Sequence, residues 1–149
     1  NHNKKHGEGV FTWPDGSKYE GAYVLDLKNG YGKYSYPDKT VYSGNWTKGK
    51  MDGKGTLNYD NGTIYDGLFK DNMKEGIGIV CLSNGETFHG GFSKDMRSGH
   101  GRMTLQNGEF FAGNYTMGQR NGTGYTVDNE GVVKESKHKF TGMNMLKTG

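Results

Sequence analysis

Pairs of glycines are the first residues in this sequence that could do chemistry. Gly-x-Gly occurs six times, beginning at Gly7, Gly30, Gly53, Gly76, Gly99 and Gly122. Such pairs cradle phosphates in nucleotide-binding proteins, but that fingerprint needs a third glycine three residues later and then a helix. No glycine stands at that offset after Gly32 or Gly55, and no helical pattern follows. We therefore interpret the glycine pairs as structural.

Side chains that could serve as nucleophile, base or metal ligand are few and scattered. Cys81 is the one cysteine, and no base accompanies it, so we interpret it as a structural thiol. On the predicted hairpins, no histidine pairs with a cysteine or another histidine at metal-ligand spacing. The histidines are His2, His6, His89, His100 and His138. We predict no catalytic residue, no metal, no cofactor and no enzymatic activity.

A 23-residue period organises the chain. The Gly-x-Gly pairs recur at this step, and so does an aromatic-x-Gly motif, at Tyr19, Tyr42, Tyr65, Phe88 and Phe111. A second aromatic residue follows each motif, at Tyr23, Trp46, Phe69, Phe92 and Tyr115. Residue types alternate with a period of two inside each repeat, which is typical of a half-buried strand. Each repeat is thus predicted to be one antiparallel hairpin.

Composition fixes how these hairpins can pack. The chain has 27 glycines among 149 residues and only two alanines, which argues against helices. No helical pattern is present to cover a sheet. We predict an all-β fold, an elongated single-layered antiparallel sheet of about five to six stacked hairpins over residues 1–131. The aromatic rings should lie across glycines of neighbouring strands, as aromatic residues rescue strand glycines elsewhere. We expect Tyr19, Tyr42 and Tyr65 to be buried in this way.

The C-terminal segment 132–149 leaves the 23-residue register. We expect an irregular segment or a degenerate capping repeat there. Phe140-Thr141-Gly142 is either a sixth aromatic-x-Gly motif after an insertion or part of the cap. The two terminal strands would offer unpaired edges, so homo-oligomerisation through them is plausible. The chain also begins without methionine, which suggests a piece of a longer protein.

The repeat resembles the MORN (membrane occupation and recognition nexus) family. The motif residues are Tyr42-Ser43-Gly44-Asn45-Trp46-Thr47-Lys48-Gly49, followed by Gly53-x-Gly55 and Asn61-Gly62. The resemblance extends from about Gly7 to Gly131, and it departs from the pattern at Lys39 and where Phe or Tyr replaces the tryptophan. It implies a binding and scaffolding module in a cytoskeletal, ciliary or membrane-linked assembly. It also leaves open an accessory repeat array attached to a larger enzyme.

Two surfaces of the predicted sheet could bind a partner. Aromatic residues that glycine alone cannot cover would form a groove for a peptide or helix of a protein partner. They are Trp13, Tyr36, Tyr59, Tyr23, Trp46, Phe69 and Phe92. Cations along the long-turn edge would instead contact an anionic membrane surface, including phosphoinositides. They are Lys28, Lys48, Lys50, Lys74, Arg97 and Arg120.

Other compartments and partners fit the sequence less well. No apolar run approaches the ~18 residues of a membrane span, no signal peptide is visible, and a lone cysteine fits a reducing compartment. We therefore expect an intracellular, cytoplasmic protein associated with cytoskeleton, cilium or membrane. Nucleic acid is not an expected partner, because a continuous basic groove would have to coincide with stacking aromatics.

Overall fold

The computed structural model describes residues 7–138, which form one antiparallel sheet of 12 strands in consecutive order. The strands are β1 (Gly7–Thr12), β2 (Lys18–Val24), β3 (Leu27–Ser35), β4 (Val41–Thr47), β5 (Lys50–Asn58), β6 (Ile64–Lys70), β7 (Met73–Cys81), β8 (Thr87–Ser93), β9 (Met96–Thr104), β10 (Phe110–Thr116), β11 (Gln119–Val127) and β12 (Val133–His138). Five complete hairpins, β2–β3 to β10–β11, thus lie between two single strands. The all-β, single-layered prediction is confirmed. Across the described residues, no helix is long and apolar enough to cross a bilayer.

Two-residue turns close the hairpins. In β2–β3, Leu25 and Asp26 have φ values of 50° and 72°. Two successive positive φ values match the right-handed twist of the flanking strands, which is why such turns favour Asn, Asp and Gly. The sequence predicts a longer turn, Val24 to Asn29, but β3 begins at Leu27 because the two-residue turn lets both strands extend further.

Asx turns make the other connection, between one hairpin and the next. The Asn61 side chain accepts a hydrogen bond from the Thr63 amide at 2.9 Å, and Gly62, between these two residues, has a φ of 94°. Lys39 occupies the glycine position in one turn and takes a φ of 76°. Its neighbour Asp38 still makes the equivalent bond, to the Thr40 amide at 2.9 Å, so the turn forms without glycine.

The core is a row of rings lying on glycines. Tyr19, Tyr42, Tyr65 and Phe88 are fully buried. In each tyrosine the ring runs along its strand, and the hydroxyl donates to a carbonyl three residues later; Tyr65 bonds Leu68 at 2.8 Å. A Cβ atom on Gly67 would be 2.7 Å from the Tyr65 oxygen and 2.5 Å from the Gly78 Cα. Only glycine leaves enough room for the ring and for this close approach of the two backbones.

An unbroken chain of edge-to-face contacts connects the rings of all repeats. Tyr42 packs edge-on against Trp46 on its own strand, with ring centroids 5.1 Å apart, and against Phe69 of the next hairpin at 5.0 Å. The same contacts recur along the sheet and link Phe11 to Phe111. Edge-to-face geometry is favourable for aromatic pairs. These contacts give a single layer a continuous core.

The sheet continues beyond the last repeat. Residues 133–138 form β12, which pairs with β11 from Val127↔Val133 to Gly122↔His138. Strand β12 lacks the aromatic-x-Gly motif. Nearly all side chains between Val132 and Lys137 are exposed, so no aromatic ring is needed there to form a core. Phe140-Thr141-Gly142 lies outside the described residues, as do His2, His6, Lys4 and Lys5. The division at residue 131 stays a prediction.

Alkaline pH provides a test of the buried tyrosines. Burial raises the pKa of Tyr19 and Tyr65 from 10.0 to about 12 and also raises that of Tyr42. A tyrosine whose pKa is higher in the folded than in the unfolded state stabilises the fold fully at a pH below its unfolded-state pKa. This contribution is lost as the pH rises to the folded-state pKa. We therefore expect the free energy of unfolding to fall steeply between pH 10 and 12, measured by urea unfolding.

The matched variant is Tyr19→Phe with Tyr65→Phe, because Phe88 already occupies this repeat position. The variant should lose the two hydroxyl hydrogen bonds, about 1 kcal/mol each, but its stability should fall less with pH than that of the unsubstituted protein. If the free energy of unfolding fell equally with pH in the variant and in the unsubstituted protein, these hydroxyls would not be buried.

Candidate functional site

The two faces of the sheet differ. Tyr34 stands opposite Tyr19 on one side and Tyr42 on the other, so all three side chains share one face, here called the ring face. The opposite, back face exposes Tyr31, Ile77 and Ile79. His89 lies opposite Ile79 and is exposed there. The two aromatic series therefore concentrate on the ring face.

Three predicted contact residues stay accessible on the ring face. Trp13, Tyr36 and Tyr59, here called the ladder, are half-buried and occupy the same position in three successive repeats. Trp13 stacks on Tyr34 with ring centroids 5.9 Å apart and planes 24° from parallel. Tyr36 contacts the same Tyr34 ring at 4.6 Å. One side of each ladder ring is thus held by the protein while the rest meets solvent.

The other four predicted contact residues belong to the core. The side chains of Tyr23, Trp46, Phe69 and Phe92 are between 3% and 7% exposed. They present almost no surface to a partner, so we remove them from the candidate site. The sequence interpretation missed their burial because each ring packs between rings of two hairpins, a contact that the pattern of one repeat does not reveal.

The predicted basic residues divide into two groups. Lys48 and Lys50 lie exposed at a hairpin turn. The other four occupy one repeat position, which Met51 fills in the second complete hairpin, and they extend over rings: they are Lys28, Lys74, Arg97 and Arg120. The Arg97 guanidinium is 4.8 Å from the Phe88 centroid. These four cations make the ring face positive, a feature visible in their 23-residue spacing but not recognised from the sequence.

Cations and ladder rings contact each other. The Lys28 ammonium is 5.1 to 5.7 Å from the centroids of four rings, Trp13, Tyr19, Tyr34 and Trp46. The Lys74 ammonium donates a hydrogen bond of 2.7 Å to the Tyr59 hydroxyl. Since that hydroxyl accepts, its own proton is available to another acceptor.

A groove opens beside the third ladder ring. It has a volume of about 440 Å³ and is lined in part by Tyr59, Lys74, Val80, Asp95 and Arg97. The Asp95 carboxylate accepts a hydrogen bond from the Lys74 amide at 2.8 Å, which fixes it to the neighbouring hairpin. The groove therefore combines an accessible aromatic ring, an apolar wall and two cations with one acid.

Side chains that could hold a metal ion or act as a nucleophile do not cluster among the described residues. Among residues 7–138, no three His, Cys, Asp or Glu side chains lie close enough to hold a metal ion. Cys81 is exposed on the back face. The features that distinguish the ring face are aromatic surface, positive charge and hydrogen-bond donors, which are the properties of a binding site.

Comparison with known families agrees with the architecture. The MORN repeat model matches residues 1–18, 19–41, 42–64, 65–87, 88–110 and 111–131. The chain therefore belongs to the MORN repeat family. Comparison with curated proteins finds no match.

Two similar solved structures are domains of SAS-4 and CPAP. The TCP domain of SAS-4 from Drosophila melanogaster, in complex with a proline-rich motif of Ana2, is 16% identical, with a TM-score of 0.51 over 89% of this chain and 85% of that one. The TCP10 domain of Danio rerio CPAP is 15% identical, with a TM-score of 0.46 over 87% and 66% of the two chains. The first likeness shows that the fold is shared.

Substitutions at Lys28 test whether the cations cover the core. Lys28→Met should keep the stability within about 0.5 kcal/mol, because Met51 fills the equivalent position and an apolar stem still covers the rings. Lys28→Ala uncovers them and should cost about 1–2 kcal/mol. Thermal unfolding measures both. Equal losses in the two variants would show that the charge matters and the stem does not.

Proposed function

We propose that this chain is a non-enzymatic protein-interaction module that grips an extended segment of a partner along the ladder. One observation carries the proposal: the rings of Trp13, Tyr36 and Tyr59 are partly exposed in a row, while Tyr19, Tyr42 and Tyr65 on the same face are fully buried. Aromatic side chains that protrude from a rigid surface supply large contact area at low entropic cost, and they dominate binding energy at interfaces. A sheet with a continuous core holds them rigidly.

The fold comparison supports this assignment. The SAS-4 TCP domain shares the fold, and its structure was solved in complex with a proline-rich motif of Ana2. By analogy, we assign this chain a protein partner in a cytoskeletal, ciliary or membrane-linked assembly inside the cell. Fold alone does not give function, so the assignment depends on the ladder and not on the likeness.

Membrane contact is the second candidate function. Lys48 and Lys50 are exposed and could contact anionic lipid headgroups. Such contact would make the protein co-sediment with anionic vesicles, and the binding would weaken as the salt concentration rises. The four other cations of the predicted basic edge contact rings instead. This reduces the charge that faces a flat bilayer, and we therefore rank lipid below protein. Association through β1 and β12, and a role as accessory array of an enzyme, stay hypotheses.

A peptide library tests the ladder. We expect the immobilised protein to enrich peptides from a random 15-residue library, and the Trp13→Ala, Tyr36→Ala, Tyr59→Ala triple variant to bind them at least tenfold more weakly. The circular dichroism spectrum should not change, because these rings lie outside the chain of buried rings.

The matched control is Tyr31→Ala with Tyr125→Ala, which removes two rings that are 64% and 51% exposed away from the ladder. This control variant should bind the selected peptides normally. Enriched peptides that bind the triple variant as tightly as the unsubstituted protein would refute the proposed function.

A further inference from the structure

The ring face repeats the same chemistry at a fixed distance. Neighbouring strands lie about 4.8 Å apart, so each two-stranded hairpin advances the sheet by roughly 9.6 Å. Ladder rings occupy the same position in three successive 23-residue repeats, and ring-covering cations occupy another position in four of the five complete hairpins. A ligand that crosses the strands along the ladder meets three aromatic rings at this spacing, with a cation over the first ring, Trp13, and over the third, Tyr59.

Three residues of an extended chain match this step. A polyproline II segment has three residues per turn and rises about 3.1 Å per residue, so it presents the same face every ~9.3 Å. It has no internal hydrogen bonds, so it can follow the twist of the sheet without losing any. An α-helix needs seven residues, about 10.5 Å, to return to the same face, and its rise is fixed by its hydrogen bonds.

Hydrogen-bonding capacity favours the same ligand. The ring face offers donors: the Lys74 ammonium, the Arg97 guanidinium and the proton of the Tyr59 hydroxyl. A proline-rich segment has carbonyl acceptors but few amide donors. Proline rings also pack against aromatic surfaces in grooves that recognise polyproline II helices.

Charge then selects among proline-rich segments. Cations occupy one repeat position in four of the five complete hairpins, with Met51 as the exception. Lys28 and Lys74 lie over the ladder rings Trp13 and Tyr59, and Arg97 lines the groove beside Tyr59. Asp95 is the acid that shares the groove with Lys74 and Arg97. This excess of positive charge is complementary to carboxylates that recur on one side of the ligand.

We infer that the partner segment is a proline-rich, acidic chain in the polyproline II conformation. It crosses the strands along the ladder with three residues per hairpin, and its carboxylates face the cations where a hairpin carries one. This inference rests on the proposed function and adds the conformation, period and charge of the ligand.

Synthetic 12-residue peptides test the period. (Pro-Pro-Glu)4 spans about 37 Å, or roughly four hairpins. We expect fluorescence anisotropy to show that it binds more tightly than a peptide of the same composition with its four glutamates placed consecutively. A helical peptide with apolar residues at seven-residue intervals should bind more weakly still.

Variants that exchange the two natural residues of the cation position test the charge. Lys74→Met with Arg97→Met keeps an apolar cover like that of Met51 and should weaken (Pro-Pro-Glu)4 binding by about three- to tenfold. Met51→Lys adds the missing cation and should strengthen binding by roughly two- to fivefold. Binding of (Pro-Pro-Gln)4 should fall less than that of (Pro-Pro-Glu)4 in the double variant, which also loses two hydrogen-bond donors, and should change little in Met51→Lys.

The outcomes separate this inference from the function on which it rests. Equal binding of the periodic and rearranged peptides, no response to the Met substitutions, or preference for the helical peptide would overturn the inference. Ladder-dependent library peptides would still uphold the interaction module in that case. Library peptides that bind independently of the ladder would remove both.

Discussion

The structure depends on the contact between an aromatic ring and a glycine in the next strand. A sheet normally buries its apolar face against a second layer. Here Tyr65 lies flat across Gly78, and the absence of a Cβ lets the ring contact the backbone directly. The edge-to-face chain from Phe11 to Phe111 then joins these contacts into one core. The second layer is replaced by rings that pack on one face of the first.

A core of this kind remains one side chain deep, and the cations complete it. Lys28, Lys74, Arg97 and Arg120 extend over rings that would otherwise meet water, and Met51 shows that an apolar stem can serve in the same place. Long basic side chains are suited to this because their stems are apolar while their heads stay hydrated. The same residues stabilise the core and give the ring face its positive charge. Function and stability are therefore coupled at these positions.

Much of the fold could be predicted from the sequence because each repeat is a local unit. The 23-residue step predicts one antiparallel hairpin for each repeat, and five complete hairpins are present. The burial of Tyr19, Tyr42 and Tyr65 also followed from alternation and glycine spacing. The prediction of the short turns was less accurate, because Leu25 adopts a φ of 50°, which a leucine in the sequence does not indicate.

The site was predicted only in part. Trp13, Tyr36 and Tyr59 are accessible as expected, but Trp46 and Phe69 are buried by contacts between hairpins, which no single repeat encodes. The cations were assigned to an edge that contacts an anionic membrane surface, because sequence alone does not show that a long side chain folds back over a ring. Strand β12 also went unpredicted, since an edge strand with exposed side chains needs no motif.

A double-mutant cycle on Tyr65 and Gly78 tests the ring–glycine contact most directly. Gly78→Ala should cost about 2–4 kcal/mol of unfolding free energy by urea titration. Gly99→Ala should cost less, about 1 kcal/mol, because its Cβ would meet no atom within 4 Å and only its positive φ of 77° strains the backbone. Adding Tyr65→Ala removes the overlap, so the double variant should be at least 1 kcal/mol more stable than the sum of the single losses predicts. Additive losses would mean that the ring does not rest on the glycine, and the explanation of the single layer would be wrong.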